Sequence, residues 1–347
     1  MKNILVTGAG AVLGQGILRC IRESKRDYMV HTADPDWRST GHWLGNKAHI
    51  IPMATDSLYL IKIEEILEKE KIDVLLIGTD VELPIFSKEK TRLEKMYNVN
   101  IVVSNEFVIE IANDKWKTAE FLKENGFSYP YSYLTTDKEG MANLANKAEF
   151  PYFAKPVDGA RSKGIVIINN INDLDSITSY HNNLVVQEFL PDTDGEFTSG
   201  CVVINGITQF VVTLKRDLRD GNTYRAYYDE EYEIYTPFIK MVAEKLGVDG
   251  PCNFQFRIKN NKPVIFEVNA RFSGTTPIRS FFGSNEVIAI LDLILYNDPI
   301  AQPKLREGVV LRAWADLFIN KDVAQSFSNA EVVNNLNAEY FPFLKKK

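Results

Sequence analysis

Cys252-Asn253-Phe254-Gln255-Phe256-Arg257-Ile258 and Pro263-Val264-Ile265-Phe266-Glu267-Val268-Asn269, joined by residues 259–262 and followed by Ala270-Arg271, read as a β-hairpin. By the period of two along a strand, Asn253, Gln255 and Arg257 share one face of the first arm. In the second arm Ile265, Glu267 and Asn269 share one face, and Val264, Phe266 and Val268 share the other. Register decides what meets what. A four-residue loop at 259–262 would set Gln255 against Phe266. A shift of one sets Gln255 against Glu267, Asn253 against Asn269, Phe254 against Val268 and Phe256 against Phe266. The second register separates polar from apolar almost completely, so burial predicts it. It gathers Asn, Gln, Glu and Asn oxygens at one end of a sheet, with Arg271 just beyond. Hard oxygens of this kind suit Mg2+, which takes one or two carboxylates together with phosphate oxygens. An adjacent arginine can neutralise a phosphoryl group in transfer.

Two stretches upstream carry matching chemistry. In residues 150–165 an apolar strand ends at Lys155, Pro156 stops it, and the polar loop 158–164 leads into another strand. A lysine there can reach a phosphate as a point charge, and the loop can fold over further phosphates and donate backbone N–H groups. Then comes Val185-Val186-Gln187-Glu188-Phe189-Leu190, followed by Asp194-Gly195-Glu196. An apolar strand ending in a hinge suits an adenine edge, with Glu196 placed to accept from ribose hydroxyls.

Outward from these segments the chain has two textures. Residues 1–104 alternate strands (2–7, 28–33, 74–78, 101–104) with helical spacing (12–21, 60–70), which predicts a doubly wound parallel α/β sheet. Ser104 or Asn105 can cap one short helix and Asn113 or Asp114 the next, which Gly126 ends. The later chain is α+β with antiparallel sheet. Asn205-Gly206 between two apolar runs marks one hairpin, and residues 236–246 form an amphipathic helix closed by Gly247. Gly8-x-Gly10-x-x-x-Gly14 opens the first helix, and Asp34 ends the second strand where a ribose-binding acid would sit. The spacing departs from G-x-G-x-x-G by one residue, and no Tyr-x-x-x-Lys follows. The glycines are therefore read as a tight strand-to-helix turn and not as a nicotinamide site.

Bulk properties exclude other classes. The 347 residues exceed one compact core. At net charge −6, with no long Lys/Arg run, nucleic acid is a poor partner. Cys20, Cys201 and Cys252 are too scattered for a disulfide framework or zinc site. No apolar run reaches the ~18 residues of a membrane span, and the chain starts directly on a strand. These features point to a cytoplasmic protein without membrane partners.

Taken together, Asn113-Asp114-Lys115, residues 150–165, Gln187 to Leu190 with Glu196, and Asn253-Phe254-Gln255 with Glu267-Val268-Asn269-Ala270-Arg271 resemble the ATP-grasp superfamily. Within it they look like the carbamoyl-phosphate synthetase large-subunit-like branch. The resemblance implies a Rossmann-like (pre-ATP-grasp) domain over 1–104, a lid subdomain over 105–190, a large subdomain with the metal site over 191–305, and an extension over 306–347. It implies that Lys115 and Lys155 contact ATP phosphates and that Gly159, Ser162, Lys163 and Gly164 belong to a lid. Gln187, Glu188, Phe189 and Leu190 would frame adenine, and Glu196 would take the ribose. Gln255, Glu267 and Asn269 would hold one or two Mg2+ ions, with Mn2+ as an alternative. Arg271 would stabilise the transferring phosphoryl group; Asn269 and Arg279 are further catalytic candidates, and Arg279 is also a candidate for holding an anionic substrate. The lid departs from the family pattern, being glycine-poor with Arg161 at a position usually small. The chain also has no room for a second synthetase half.

The implied reaction is ATP-dependent ligation of a small-molecule carboxylate to an amine through an acyl phosphate; a homodimer is compatible with it. The rivals are a phosphotransferase and a non-catalytic ATP-binding regulator. Lys215, Arg216, Arg219 and Arg225, around Asp220-Gly221-Asn222, are candidates for holding an anionic substrate.

Overall fold

The computed structural model describes residues 1–157, 164–180, 184–313, 315–328, 330–334, 336 and 339–341, with 178–180 and 339–341 as backbone. The first unit is a parallel sheet of β1 (Lys2–Val6), β2 (Tyr28–Asp34), β3 (Lys47–Ile50), β4 (Val74–Leu76) and β5 (Asn100–Val102), in the order 3-2-1-4-5. Helices α1 (Val12–Arg22), α2 (Tyr59–Glu70) and α3 (Leu83–Tyr97) supply the crossovers. Ile4, Leu5, Val6, Val74, Leu75 and Leu76 are all fully buried, as a parallel sheet covered on both faces requires. Strand order reverses direction between β1 and β4, so the turns after these two strands open a crevice at their carboxyl ends.

Two short helices follow. Asn105 caps α4 (Glu106–Asn113) by accepting from Val108 N. Asp114 caps α5 (Lys115–Glu124) by accepting from Trp116 N and Lys117 N. Ser104 is spent elsewhere: its hydroxyl donates to Asp249 O.

A small antiparallel sheet comes next, β6 (Ser132–Leu134), β7 (Tyr152–Pro156), β8 (Val166–Ile168) and β9 (Leu184–Glu188), ordered 6-9-7-8. With α6 (Lys138–Lys147) and α7 (Ile171–Tyr180) it builds its own core around Leu144, Tyr152, Ala154, Ile168 and Val186.

The third sheet is the largest antiparallel one: β10 (Glu196–Ile204), β11 (Ile207–Arg219), β12 (Asn222–Tyr228), β13 (Gly250–Lys259), β14 (Lys262–Asn269) and β15 (Gly308–Leu311), ordered 14-13-10-11-12-15. Its apolar face, with Phe197, Phe254, Phe256 and Val268, shares one core with Leu5, Leu75 and Ile101 of the parallel sheet. Helix α8 (Thr236–Leu246) packs on it and stops at Gly247, φ +80°. Helices α9 (Thr276–Phe281) and α10 (Glu286–Tyr296) follow β14.

Three stretches depart from the sequence reading. Residues 47–50 form a parallel strand. Residues 222–228, for which the sequence reading gives no strand, pair with β11 across the Asp220–Gly221 turn, where both residues have positive φ. The stretch after 305, expected as an extension, carries strands of its own. β15 extends the large sheet, and β17 (Val332–Asn334) runs antiparallel on the edge of β3. Between them, β16 (Asp316–Phe318), which pairs with β18 (Glu339–Phe341), and α11 (Lys321–Ser328) complete the chain order. Phe327 of α11 is fully buried against Trp37, His42 and Trp43.

Candidate active site

The three sheets meet at a cleft of 580 Å³. The parallel sheet contributes Ala11 to Leu13 after β1 and Gly78 to Val81 after β4, the two sides of the crevice. The small sheet contributes Phe153, Lys155, Gln187, Glu188 and Leu190, and Lys115 begins α5 at its edge. The large sheet contributes Glu196, Arg216, Asn253, Gln255, Arg257, Phe266, Glu267 and Arg271.

The large sheet's polar face follows directly from register. Glu196 lies opposite both Arg216 and Arg257, Thr198 opposite Gln255, Gln255 opposite Glu267, and Asn253 opposite Asn269. These side chains connect into one continuous path. Arg257 donates to Leu190 O (2.6 Å) and to Glu196 Oε2 (2.9 Å). Arg216 donates to Glu196 Oε1 (2.6 Å) and Gln255 Oε1 (2.6 Å). Gln255 Nε2 (3.1 Å) and Asn269 Nδ2 (2.9 Å) both donate to Glu267 Oε1. Arg271 donates to Asn269 Oδ1 (2.7 Å) and, across the cleft, to Asp80 Oδ1 (2.6 Å). Arginines and carboxylates alternate along the path, so it is largely self-neutralised. Two residues beyond Asp80, the same turn is anchored. Glu82, buried, accepts from Thr7 Oγ1 (2.9 Å), Thr79 Oγ1 (2.7 Å) and Tyr59 OH (2.5 Å), and burial pushes its pKa up.

The hairpin contains both registers considered from the sequence. Near its turn, where Asn260 and Asn261 both have positive φ, Lys259 faces Lys262 and Phe256 faces Ile265. Toward the cleft, Gln255 faces Glu267, Phe254 faces Val268 and Asn253 faces Asn269. A β-bulge between Gln255 and Phe256 joins the two and leaves Phe266 as the extra residue. The expected Phe256–Phe266 pair is therefore absent. Ile265 is buried instead, and Phe266 turns to line the cleft.

On the opposite wall Lys155 ends β7. Its Nζ donates to Gln187 Oε1 (2.6 Å), while Gln187 Nε2 donates to Ser132 Oγ (2.9 Å), and Phe266 presents its ring 5.6 Å from the ammonium. Burial lowers the Lys155 pKa to about 8. Lys115 N donates to Val157 O (3.1 Å), tying α5 to the strand that carries Lys155. Glu188 is buried, accepting from Tyr131 N (3.0 Å) and pairing with Lys259. Glu196, expected as a ribose acceptor, is clamped between two arginines.

The remaining expected residues divide. Gly164 has φ +73° and packs near Pro156. Gly159, Ser162 and Lys163 lie outside the described residues. Phe189 is absent from the cleft lining and packs edge-on to Phe153 (5.2 Å). Arg279 is likewise absent from the lining, fully buried, and paired with Glu286, so direct action on a phosphoryl group does not fit its position. It holds the preceding turn by donating to Thr275 Oγ1 (2.8 Å) and Ser273 Oγ (3.1 Å). Of the basic residues around 220, only Arg216 lines the cleft. Arg219 stacks on Tyr224 (3.7 Å), and Arg225 pairs with Asp217 (3.6 Å). Asp34 is consumed by Gly10 N (2.8 Å), Asp36 N (3.0 Å) and Ser39 Oγ (2.6 Å), which is what a structural turn requires. Sequence reasoning missed Phe266, hidden by the bulge. It also missed Asp80, in the turn after β4, and Arg312, which lines the cleft from the end of β15.

The donor set tests the expected metal. Glu267 offers one carboxylate; Gln255 and Asn269 turn their amide nitrogens to it, and their oxygens accept from Arg216 and Arg271. Among the described residues no group of three or more His, Cys, Asp or Glu could hold an ion. One carboxylate is too little for an all-protein cage but fits Mg2+ bound jointly with phosphate oxygens and waters. Among the described residues no helix is long and apolar enough to cross a membrane.

Comparison with known proteins agrees with this geometry. Residues 112–275 match the ATP-grasp domain family. The carbamoyl phosphate synthase large chain of Thermoplasma acidophilum is 26% identical over 317 residues, covering 81% of this chain and 29% of that one. The same protein from Thermoanaerobacter pseudethanolicus is 23% identical over 310 residues, 81% and 28% respectively. The chain thus spans under a third of these relatives' length. Among solved structures, N5-carboxyaminoimidazole ribonucleotide synthetase from Thermus thermophilus superimposes with TM-score 0.70 at 13% identity, covering 96% of this chain and 94% of that one. The biotin carboxylase domain of Hydrogenobacter thermophilus 2-oxoglutarate carboxylase, in complex with MgADP and bicarbonate, gives 0.69 at 15% identity, covering 89% and 73%. These likenesses establish the fold. Residues 112–275 match the ATP-grasp domain family, and over about four-fifths of its length the chain is similar to part of the carbamoyl phosphate synthase large chains.

Proposed function

We propose that this protein is an ATP-dependent ligase that joins a small-molecule carboxylate to an amine through an acyl phosphate, releasing ADP and phosphate. The observation that carries the reading is the hydrogen-bonded path on the large sheet, which ends at Glu267 and Arg271 in the cleft that Lys155 also lines; Asn269, absent from the lining, bridges the two. In this reading residues 1–104 are a Rossmann-like pre-ATP-grasp domain that closes the cleft, 105–190 the lid subdomain, 191–305 the large subdomain, and 306–347 an extension.

Adenine lies at the Gln187 to Leu190 hinge against Phe266, and Glu196 accepts from ribose. Lys115 and Lys155 answer the phosphates. Glu267, with Asn269 and Gln255, would hold Mg2+, which supplies charge neutralisation at the triphosphate. The substrate carboxylate attacks the γ-phosphorus, the bond to the β-γ bridging oxygen breaks, and ADP departs. Arg271 stabilises the charge that redistributes during transfer. The amine then attacks the acyl carbon and phosphate leaves. The chain's own contribution is positioning and electrostatics.

The test is ADP release across acid and amine pairs, with product analysis. A ligase gives an amide and needs both partners for turnover. ADP formed with a single acceptor that ends up phosphorylated makes the protein a phosphotransferase. Mg-ATP binding without ADP formation under any pair makes it a regulator.

A further inference from the structure

Four arginines line the cleft, and three of them are paired with carboxylates: Arg216 and Arg257 with Glu196, and Arg271 with Asp80. Arg312 is the exception. Its backbone N–H donates to Tyr224 O (3.1 Å), fixing it at the end of β15, and its guanidinium donates to the carbonyl of Gly274. No carboxylate among the described residues pairs with it. The charge that acts on it is a second cation, Arg19 on α1, and burial and that neighbour together disfavour its charged form. A partly buried guanidinium beside a like charge is unfavourable unless an anion answers it.

Its position says which anion. Gly274 belongs to the turn Ser273 to Thr275, directly beyond Arg271, and sits beside Val12 at the start of α1. Following the polar path from the Leu190 carbonyl, one meets Arg257, Glu196, Arg216, Gln255, Glu267, Asn269, Arg271, and then this turn. Arg312 therefore stands past the reacting centre, on the side away from the adenine hinge. Nucleotide phosphates are answered by the lysines of the other wall. An anion at Arg312 belongs to the molecule that meets Arg271 from the far side.

We propose that the acid substrate is at least doubly anionic, with its reactive carboxyl beside Arg271 and Glu267 and a remote carboxylate or phosphate bound by Arg312. The assignment rests on the ligase reading above. It turns a side chain from the final stretch of the chain into the specificity determinant of the site.

The experiment is calorimetric titration of the full chain, with and without saturating Mg-ADP. The probes are α,ω-dicarboxylates from malonate to adipate, the matching ω-phosphonocarboxylates, and monocarboxylates of equal length. At the best length a second anionic group should tighten binding by roughly tenfold to a hundredfold, the range of a charge-assisted hydrogen bond. A phosphonate preference assigns the remote group as phosphate, and a dicarboxylate preference assigns it as carboxylate. Arg312→Gln can still donate to the Gly274 carbonyl but has no charge, so it should lose the gain; Arg312→Lys should recover part of it. Mg-ATP affinity of each variant reads the other wall of the cleft and checks folding. If a second anionic group brings no gain at any length, or if the gain survives Arg312→Gln, the inference is overturned. Mg-ATP binding without anion discrimination sinks this subsite alone. Arg312-dependent discrimination in a protein that does not bind Mg-ATP sinks the ligase reading and leaves the subsite standing.

Discussion

The two walls of the cleft hold their charges in opposite ways. On the small sheet Lys155 is stripped of water at the end of a buried strand and donates to a neutral amide, Gln187; its charge is costly and only partly answered. On the large sheet the path from Arg257 through to Asp80 is already balanced by counter-charges and amide partners, and Arg312 stands outside that path. A cation kept short of counter-charge gains as soon as an anionic ligand arrives. A charge already balanced gains little from a ground-state ligand, since it must give up one partner for another. Its value is that it is fixed in place when charge redistributes. The small wall should therefore appear in affinity and the large wall in turnover.

The largest effect that could break this contrast is at Arg271. Arg271→Ala should lower kcat by ~10²–10³, the usual cost of one preorganised electrostatic donor, while Mg-ATP affinity measured separately stays close to normal. Near-normal turnover, or a defect confined to ATP binding, would overturn the assignment. Arg279→Ala is the control in the same segment. It leaves Glu286 buried without its partner and should cost about 3–5 kcal/mol of stability, visible in denaturant melts.

Next in size is the opposite wall. Lys155→Met should weaken Mg-ATP binding by roughly tenfold to a hundredfold, the loss of one charge-assisted contact. If kcat at saturating ATP falls by more than affinity does, the division of labour between the walls is wrong. Smaller again is Phe266→Ala. A base–aromatic stack contributes ~1–3 kcal/mol, so a loss of about tenfold is expected for ATP, with Phe266→Leu intermediate. Unchanged ATP affinity in Phe266→Ala would mean that the bulge aims the ring at something other than adenine.

What the sequence could show follows the same physics. Period-two alternation told which residues of 252–269 share a face, because the sheet has one wet and one dry side, and burial correctly selected the register at the cleft end. Alternation cannot show a bulge. Both registers satisfy the pattern over part of the hairpin, and the two-residue Asn260–Asn261 turn favours one while the Gln255–Glu267 pairing favours the other. The conflict is resolved by ejecting Phe266, which no propensity announces. Arg271 and Arg279 looked equivalent because both follow the polar cluster. Only the tertiary structure shows that α10 brings Glu286 onto one and the parallel sheet brings Asp80 onto the other. Arg312 lies in a stretch with little pattern, and its place depends on β15 pairing with β12, a strand the sequence pattern does not mark.

The finest test of the contrast uses pH, because Lys155 is predicted to move stability and affinity in opposite directions. Burial holds its pKa at about 8, against 10.5 for the exposed group. Between these values the unfolded chain binds more protons at this position than the folded one, so this lysine's contribution to stability rises with pH across that window. Nucleotide affinity must run the other way, because only the protonated ammonium answers a phosphate. Over the step from pH 7 to pH 8 the charged fraction of a group with pKa 8 falls by about half, so ATP affinity should drop about twofold. Binding at pH 8 should take up roughly half a proton, measurable by calorimetry in buffers of different ionisation enthalpy. Other groups titrate in the same range, so each profile is read as the difference between the natural chain and Lys155→Met. In that variant the affinity step and the proton uptake should vanish, and the rise in stability from pH 8 to 10.5 should shrink. An affinity profile identical in both proteins would show that Lys155 does not meet the phosphates. A vanished affinity step with an unchanged stability slope would show that it meets them without the burial that distinguishes its wall of the cleft.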